Sequence, residues 1–207
     1  MKQLKIALTA VLAVVLSACL SGYHDTKVIN SDTGTQATPK GPYQSLVVGV
    51  LVDHELRGHL EDAIVARFAE MGVKATAAYT VFGDKGVEGK SLDYLAKRMK
   101  ENGFDSALAI HLEDQTSKTV EVKGDPGVSV PASAGMTMTP QVYSPDFFVN
   151  EDIYTARLEL WDVDQKAIVW TGRTVSFNTG GFKGLEKGAS HYAKTITDAI
   201  SEAGIYP

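Results

Sequence analysis

The chain has 207 residues, with 20 Lys and Arg, 25 Asp and Glu, a formal net charge of −5 and one cysteine. An acidic balance argues against a nucleic-acid-binding protein, and a single cysteine excludes an intrachain disulfide framework. The length is sufficient for one domain with a substantial apolar core.

The N-terminus has the pattern of a secretory signal. Lys2 and Lys5 form a basic start, and an apolar run follows over residues 6–16. This run is shorter than the roughly 20 residues that a membrane-spanning helix needs. We therefore expect residues 1–18 to be a signal peptide. Its removal would take away two lysines and change the net charge from −5 to −7.

Residues 16–19 read Leu-Ser-Ala-Cys, which resembles the lipobox of bacterial lipoproteins. In that family a peptidase cuts before the cysteine, whose sulfur receives a diacylglycerol and whose amine is acylated. The resemblance implies that Cys19 carries the lipid, palmitate or a similar chain, and that this lipid holds the protein on the membrane. Leu20, in place of aspartate, implies sorting to the outer membrane, with the domain in the periplasm.

The segment after the cysteine is polar and rich in Ser, Thr, Gly, Asp and Pro. This composition predicts that residues 19–43 form the lipid anchor and a flexible tether. Residues 44–207 then form the globular domain.

From residue 44 the sequence alternates strand and helix patterns. "SLVVGVLVD" predicts a buried strand, "HELRGHLEDAIVARFAEMG" an amphipathic helix, and "VKATAAYTVF" a second strand. A second helix follows Ser91, and "FDSALAIHLED" predicts a third strand. The order β-α-β-α-β indicates parallel strands joined by right-handed crossovers.

The glycine-rich stretch before the second helix resembles a nucleotide-binding loop. It ends in Gly89-Lys90-Ser91, but Asp84 stands where a P-loop needs its first glycine. A lipoprotein domain also folds outside the cytoplasm, away from ATP and GTP. We therefore expect no nucleotide binding, and we expect Ser91 to be the N-cap of the second helix.

His111 and Glu113 lie at the end of the third predicted strand. Alternation places both on one side, at the carboxyl edge where α/β proteins bind ligands. A small polar or metal site is one interpretation, and a histidine satisfied at a strand end is the other. We expect no cofactor and no enzyme, because Gly-x-Ser-x-Gly is absent and Cys19 is committed to lipid.

Residues 117–151 are rich in Gly, Pro, Ser and Thr and predict a long loop or protruding hairpin, which in a compact domain is usually functional or disordered. Aromatic residues in and after this segment are candidate interface anchors. An alternative is that the segment folds back onto its own domain. The candidates are Tyr143, Phe147, Phe148, Trp161 and Trp170.

The last part of the chain predicts an antiparallel hairpin and a helix. "DIYTARLELWDVDQKAIVWTGRTVSF" contains two strand patterns around a polar turn at residues 162–166. "GLEKGASHYAKTITDAISEAG" has one apolar stripe. The fold class is therefore α/β, with a mixed sheet in a single domain.

The acidic turn is followed by Ile168-Val169-Trp170-x-Gly172. Together with the lipobox and the element order, it resembles a group of small Gram-negative envelope lipoproteins. Their domain is similar to the N-terminal domain of TolB and to the periplasmic domain of the curli secretion-channel lipoprotein. The resemblance implies a docking or assembly domain, without catalytic residues to carry over.

The sequence thus predicts a non-enzymatic outer-membrane lipoprotein that docks another envelope protein. Two alternatives stay open: a lipoprotein that binds a small ligand or metal, and an accessory of a secretion channel that forms a homo-oligomer.

Overall fold

A computed structural model of the protein describes residues 24–51, 54–83, 87, 89–122, 147–179 and 185–206. Six strands and four helices lie within these ranges. In chain order they are β1 (His24–Thr33), β2 (Ser45–Leu51), α1 (His54–Glu70), β3 (Lys74–Ala77), α2 (Ala78–Phe82), α3 (Leu92–Glu101), β4 (Ser106–Val122), β5 (Phe147–Asp162), β6 (Ala167–Thr179) and α4 (Leu185–Glu202).

The strands form one six-stranded mixed sheet in the order β1-β6-β5-β4-β2-β3. Strand β2 is parallel to both β3 and β4, whereas the β4–β5, β5–β6 and β6–β1 pairs are antiparallel. This arrangement confirms the predicted α/β class, the β-α-β-α-β order and the antiparallel hairpin.

The main core lies between one face of the sheet and helices α1 and α4. Alternation along β2 directs Leu46, Val48 and Val50 into it, and each is at most 2% exposed. Phe68 of α1 and Ile196 of α4 belong to the same cluster and are fully buried. Helices α2 and α3 contribute to a smaller cluster on the opposite face.

The predicted cap of the second long helix is confirmed. The Oγ atom of Ser91 accepts a hydrogen bond from the N–H of Tyr94 at 3.3 Å, and Asp93 lies in the first turn of α3. The cap satisfies one of the helix N–H groups that lack an internal partner, and the carboxylate is favourable near the positive end of the helix dipole.

The predicted tether is wrong for residues 24–33, which form β1 at the edge of the sheet. They pair with β6 from His24 opposite Asn178 to Thr33 opposite Trp170. Most side chains of this strand are exposed, so the strand is held mainly by backbone hydrogen bonds. A polar edge strand carries no apolar alternation, and its composition therefore looked like that of a linker.

The predicted second strand is wrong in its second half, where α2 replaces it. The buried carboxylate of Glu61, 1% exposed, accepts the N–H of Val50 at 3.0 Å and the N–H of Tyr79 at 3.2 Å. A carboxylate at the first turn stabilises a helix start. Burial raises the pKa of Glu61, although these N–H groups oppose the rise.

The Trp-x-Gly motif of β6 has a steric cause. Trp170 and Gly172 alternate onto the same face, and the indole of Trp170 lies across Gly172. A Cβ atom at Gly172 would stand 2.6 Å from the Trp170 ring and 3.3 Å from Leu158. Only glycine leaves room for this ring, which is fully buried.

Asp162 fixes the turn between β5 and β6. Its carboxylate accepts the N–H of Gln165 at 2.8 Å, the side-chain amide of Gln165 at 2.7 Å and the hydroxyl of Tyr43 at 3.0 Å. Burial by itself would raise the pKa of Asp162, but these hydrogen bonds outweigh it and the pKa is lowered. Tyr43, 5% exposed, is therefore part of the core rather than of a tether.

Gly172→Ala is expected to lower the free energy of unfolding by about 1–3 kcal/mol, because the new methyl group overpacks against Trp170. Gly58→Ala in α1 is the matched control. Nothing lies within 4 Å of a Cβ there, and alanine is the better helix former by up to about 1 kcal/mol. Urea denaturation measures both. Equal effects of the two substitutions would show that the Trp170–Gly172 contact is not tight.

Asp162→Asn is expected to destabilise the fold by about 1–3 kcal/mol at pH 7, because the hydrogen bonds lose their charged acceptor. The folded pKa is lowered, so the advantage over asparagine is present above the ordinary aspartate pKa of about 4 and is lost as the pH falls through the folded value. Urea denaturation from pH 7 to pH 3 measures it.

Asp164→Asn in the same turn is the control. The side chain of Asp164 is 73% exposed, and a change within about 0.5 kcal/mol is expected. A pH-independent difference between Asp162→Asn and the parent chain would contradict the role given to this carboxylate.

Candidate functional site

Small side chains line the second face of the sheet where β2 and β4 run side by side. Gly49 is the neighbour of Ala109 across the parallel pair, and Val47 is the neighbour of Ala107. Ala107 and Ala109 are only half-buried although they lie in the interior of the sheet. Side chains this short leave space between the sheet and the helices that cover it.

That space is a cavity of about 180 Å³ between the sheet and helices α2 and α3. Phe82, Leu95 and Met99 form its helical wall. The lining is almost entirely apolar, and its charged side chains are His111 and Glu159, toward the end of β2, and Asp162 and Lys166, at the β5–β6 turn. Leu92 is 55% exposed and marks a place where the cavity meets solvent.

The charged end of the cavity is organised around Glu159 of β5. The side chain of Glu159 is only 9% exposed, and it contacts two basic side chains and one indole N–H group. Arg157 Nη1 lies 3.1 Å from one carboxylate oxygen, and His111 Nε2 lies 3.5 Å from the other. The indole N–H of Trp161 donates to the same carboxylate at 3.3 Å. The buried charge of Glu159 is thus compensated on several sides.

The network continues over the uncovered part of this face. Arg157 Nε lies 3.7 Å from Glu113, and Arg173 contacts Glu113 at 2.9 and 3.2 Å. Glu113 occupies a β-bulge, between the pairs made by Leu112 and Asp114 with β5. Two arginines therefore engage Glu113 from the neighbouring strands.

The structure gives no support to a metal site at His111 and Glu113. The two residues contact different partners, since His111 faces Glu159 and Glu113 lies between arginines. Within the described ranges no group of three or more His, Cys, Asp or Glu side chains is placed to hold a metal ion.

The five candidate interface residues have different positions. Tyr143 lies outside the described residues, and Phe147 begins β5 with a side chain that is also outside the description. Phe148 is 71% exposed. Trp161 is half-buried and lines the cavity. Trp170 is fully buried, so its interpretation as an interface anchor is wrong: the indole is needed to fill the core.

Strands β4 and β5 extend past the end of β2, and β6 accompanies β5 as far as the pair of Glu151 and Thr179. Strand β2 ends at Leu51, opposite His111, whereas β4 continues to Val122 and pairs with β5 as far as Phe147. At about 3.3 Å per residue, the 17 residues of β4 span roughly 55 Å. Along Leu112–Lys118, which we call the open edge, β4 has no strand neighbour on its β2 side among the described residues.

No family model matches the chain, and no curated protein matches it significantly. Solved structures that are similar to it include the following three. A PelC dodecamer from Paraburkholderia phytofirmans is 16% identical with a TM-score of 0.41, covering 84% of this chain and 96% of that one. Lipoprotein GNA1162 from Neisseria meningitidis is 16% identical with a TM-score of 0.43, covering 78% and 99%.

The third is a minor lipoprotein from Acinetobacter baumannii, 10% identical with a TM-score of 0.39, covering 79% of this chain and 97% of that one. At such scores the likenesses carry no argument about function. The similarity to TolB and to the curli channel stays an expectation from the sequence.

Helices within the described ranges are too short or too polar to cross a membrane. The cavity and the Glu159 network were missed by the sequence analysis. The signal for the cavity was present in the sequence, because Gly49, Ala107 and Ala109 alternate with large apolar residues. Such an alternation distinguishes a face of the sheet that has space from one that is filled.

Glu159→Gln is expected to lower the free energy of unfolding by about 1–3 kcal/mol, because the buried side chain loses the charge that pairs with Arg157 and that accepts the indole N–H of Trp161. Glu113→Gln makes the same chemical change in the same network, but the side chain is 29% exposed and the expected loss is below about 1 kcal/mol. Urea denaturation of both variants measures the difference between their free energies of unfolding. A larger loss for Glu113→Gln would contradict the central place of Glu159.

Proposed function

We propose that the protein is a non-enzymatic lipoprotein of the bacterial envelope, anchored through Cys19, that docks a second envelope protein by its projecting hairpin. The observation that carries this proposal is the open edge of β4, together with the exposed Phe148. Placement in the outer membrane, with the domain in the periplasm, is part of the proposal and rests on the lipobox and Leu20.

The open edge offers backbone N–H and C=O groups that an extended segment of another protein can pair with. Such strand addition derives affinity from main-chain hydrogen bonds and specificity from side chains beside the edge. Glu113, Asp114 and Lys118 place charges of both signs along it. Charges on an edge oppose non-specific pairing, so the edge is suited to one complementary partner.

Phe148 adds an apolar contact beyond the body of the domain. It is opposite Glu121 in the β4–β5 pair and has the largest exposed fraction among the described apolar side chains. A large aromatic ring gains more than most side chains when a partner covers it. The open edge would thus set the direction of the partner's strand, and Phe148 would be the apolar anchor.

The chemistry of the described residues favours docking over catalysis. His111, Glu113 and Glu159 are held by ion pairs and a hydrogen bond to one another and to neighbouring strands.

Replacement of Phe148 by the photo-crosslinking residue p-benzoylphenylalanine, in the organism that encodes the chain, is expected to give an adduct of defined mass with another protein. The side chain is exposed, so the substitution leaves the fold intact. Tyr94 of α3, an exposed aromatic remote from the hairpin, is the matched control position and is expected to give no such adduct. Immunoblotting and mass spectrometry identify the product.

Equal adducts at both positions, or none at either, would contradict docking by the hairpin. An adduct with twice the mass of the chain would show that the partner at Phe148 is a second copy of this chain and not another protein. In a Cys19→Ser variant the radioactive palmitate label and the adduct should both be lost, because the domain is released from the membrane where its partner lies.

A further inference from the structure

The cavity between the sheet and α3 is large for a domain of this size. Interiors pack at the density of organic crystals, with few voids larger than a water molecule. An engineered apolar cavity of about 150 Å³ stays dry and binds benzene. The cavity described above has about 180 Å³, so it accommodates one aromatic ring or a short alkyl chain.

The backbone itself creates this space, because it places the smallest residues where helices α2 and α3 cover the sheet. A Cβ atom at Gly49 would stand 3.4 Å from Ala78 Cβ, an ordinary contact, so alanine could stand there without a clash. Ala107 and Ala109 continue the same floor on β4. Larger residues at these three positions would fill the cavity from the sheet side.

Charged side chains line the cavity toward the end of β2, at His111 and Glu159, and at the β5–β6 turn, at Asp162 and Lys166. His111, Glu159 and Lys166 are among its lining residues, and the carboxylate of Glu159 is more than nine-tenths buried. Lys166 forms an ion pair with Asp93 at the start of α3. The carboxylate of Glu159, beside His111, disfavours an anion at that end of the cavity.

We propose that this cavity binds a small neutral molecule, made of one aromatic ring or a short alkyl chain and one hydroxyl or amide group. The apolar part would lie over Gly49, Ala107 and Ala109, against Leu95 of α3. The polar group would lie beside His111 and Glu159, where a donor finds a carboxylate oxygen. This binding site is separate from the open edge and does not depend on the docking function.

Benzyl alcohol is the probe, because it has one ring and one hydroxyl group. The protein is the chain from residue 19 onward with Cys19→Ser, so that neither lipid nor detergent competes. The chain has two tryptophans, and their indole N–H signals in a ¹H–¹⁵N spectrum give an internal comparison. Trp161 lines the cavity and should shift with a Kd of about 1 mM or lower, whereas Trp170 in the opposite core should not.

Two variants test the location of the site. Ala109→Leu fills the cavity and should abolish the Trp161 shift while the chain stays folded. Leu95→Ala enlarges it and should bind 1-naphthalenemethanol at least ten-fold more tightly than the parent chain does. Benzoate, which has a similar size but an anionic group, should bind at least ten-fold more weakly than benzyl alcohol.

The proposal is overturned if Trp161 does not shift at about 20 mM probe, or if both indoles shift alike. It is also overturned if folded Ala109→Leu binds as the parent does, or if benzoate binds as well as the alcohol. Should Ala109→Leu fail to fold, the Leu95→Ala variant is the test. A ten-fold gain in its affinity for 1-naphthalenemethanol supports the proposal, and an unchanged affinity overturns it.

Discussion

Strand β2 ends at Leu51, whereas its parallel neighbour β4 continues from Leu112 to Val122 with β5 as its other partner. The backbone groups of a strand must pair with a neighbour, with water or with another molecule. Among the described residues no strand lies on the β2 side of β4 beyond His111, so the backbone groups there are open to water or to another molecule. The bulge at Glu113 falls at this transition, where the strand passes from the interior of the sheet to an edge.

The two faces of the sheet are covered to different extents. One face carries the main core, and the other carries the cavity and the charged residues. Helices α1 and α4 close one face over a continuous core that includes Trp170 and Phe68. On the other face α2 and α3 cover the part near β2 and the start of β4, over small side chains. The charged residues around Glu159 and Glu113 begin where this cover ends.

Much of the fold was predictable because its signals are local. The apolar run of β2 and the capping residue Ser91 are each recognisable from a few neighbouring residues. Strand β1 was not predictable, since an edge strand stabilised by backbone pairing with β6 needs no apolar pattern. The buried position of Trp170 depends on space at Gly172, which becomes visible only when the two faces of β6 are assigned.

The candidate site was less predictable than the fold. His111 was identified as a site residue, but its partner Glu159 lies on a different strand, 48 positions away in sequence, and no local pattern joins them. The sequence indicated a long loop or hairpin over residues 117–151, of which the structure places 117–122 in β4 and 147–151 in β5. Which part of it is an open edge depends on where β2 ends, and that is a property of the whole sheet.

The central claim is that β4 changes from an interior strand to an open edge after His111. Amide hydrogen exchange followed by NMR, on the chain from residue 19 onward with Cys19→Ser, measures this directly. Residues Ala107–Ile110, flanked by β2 and β5, should exchange slowly. Along Leu112–Lys118 about half of the amides, those directed away from β5, should exchange rapidly. Uniformly slow exchange through Lys118 would show that the edge is already covered, and would contradict the account.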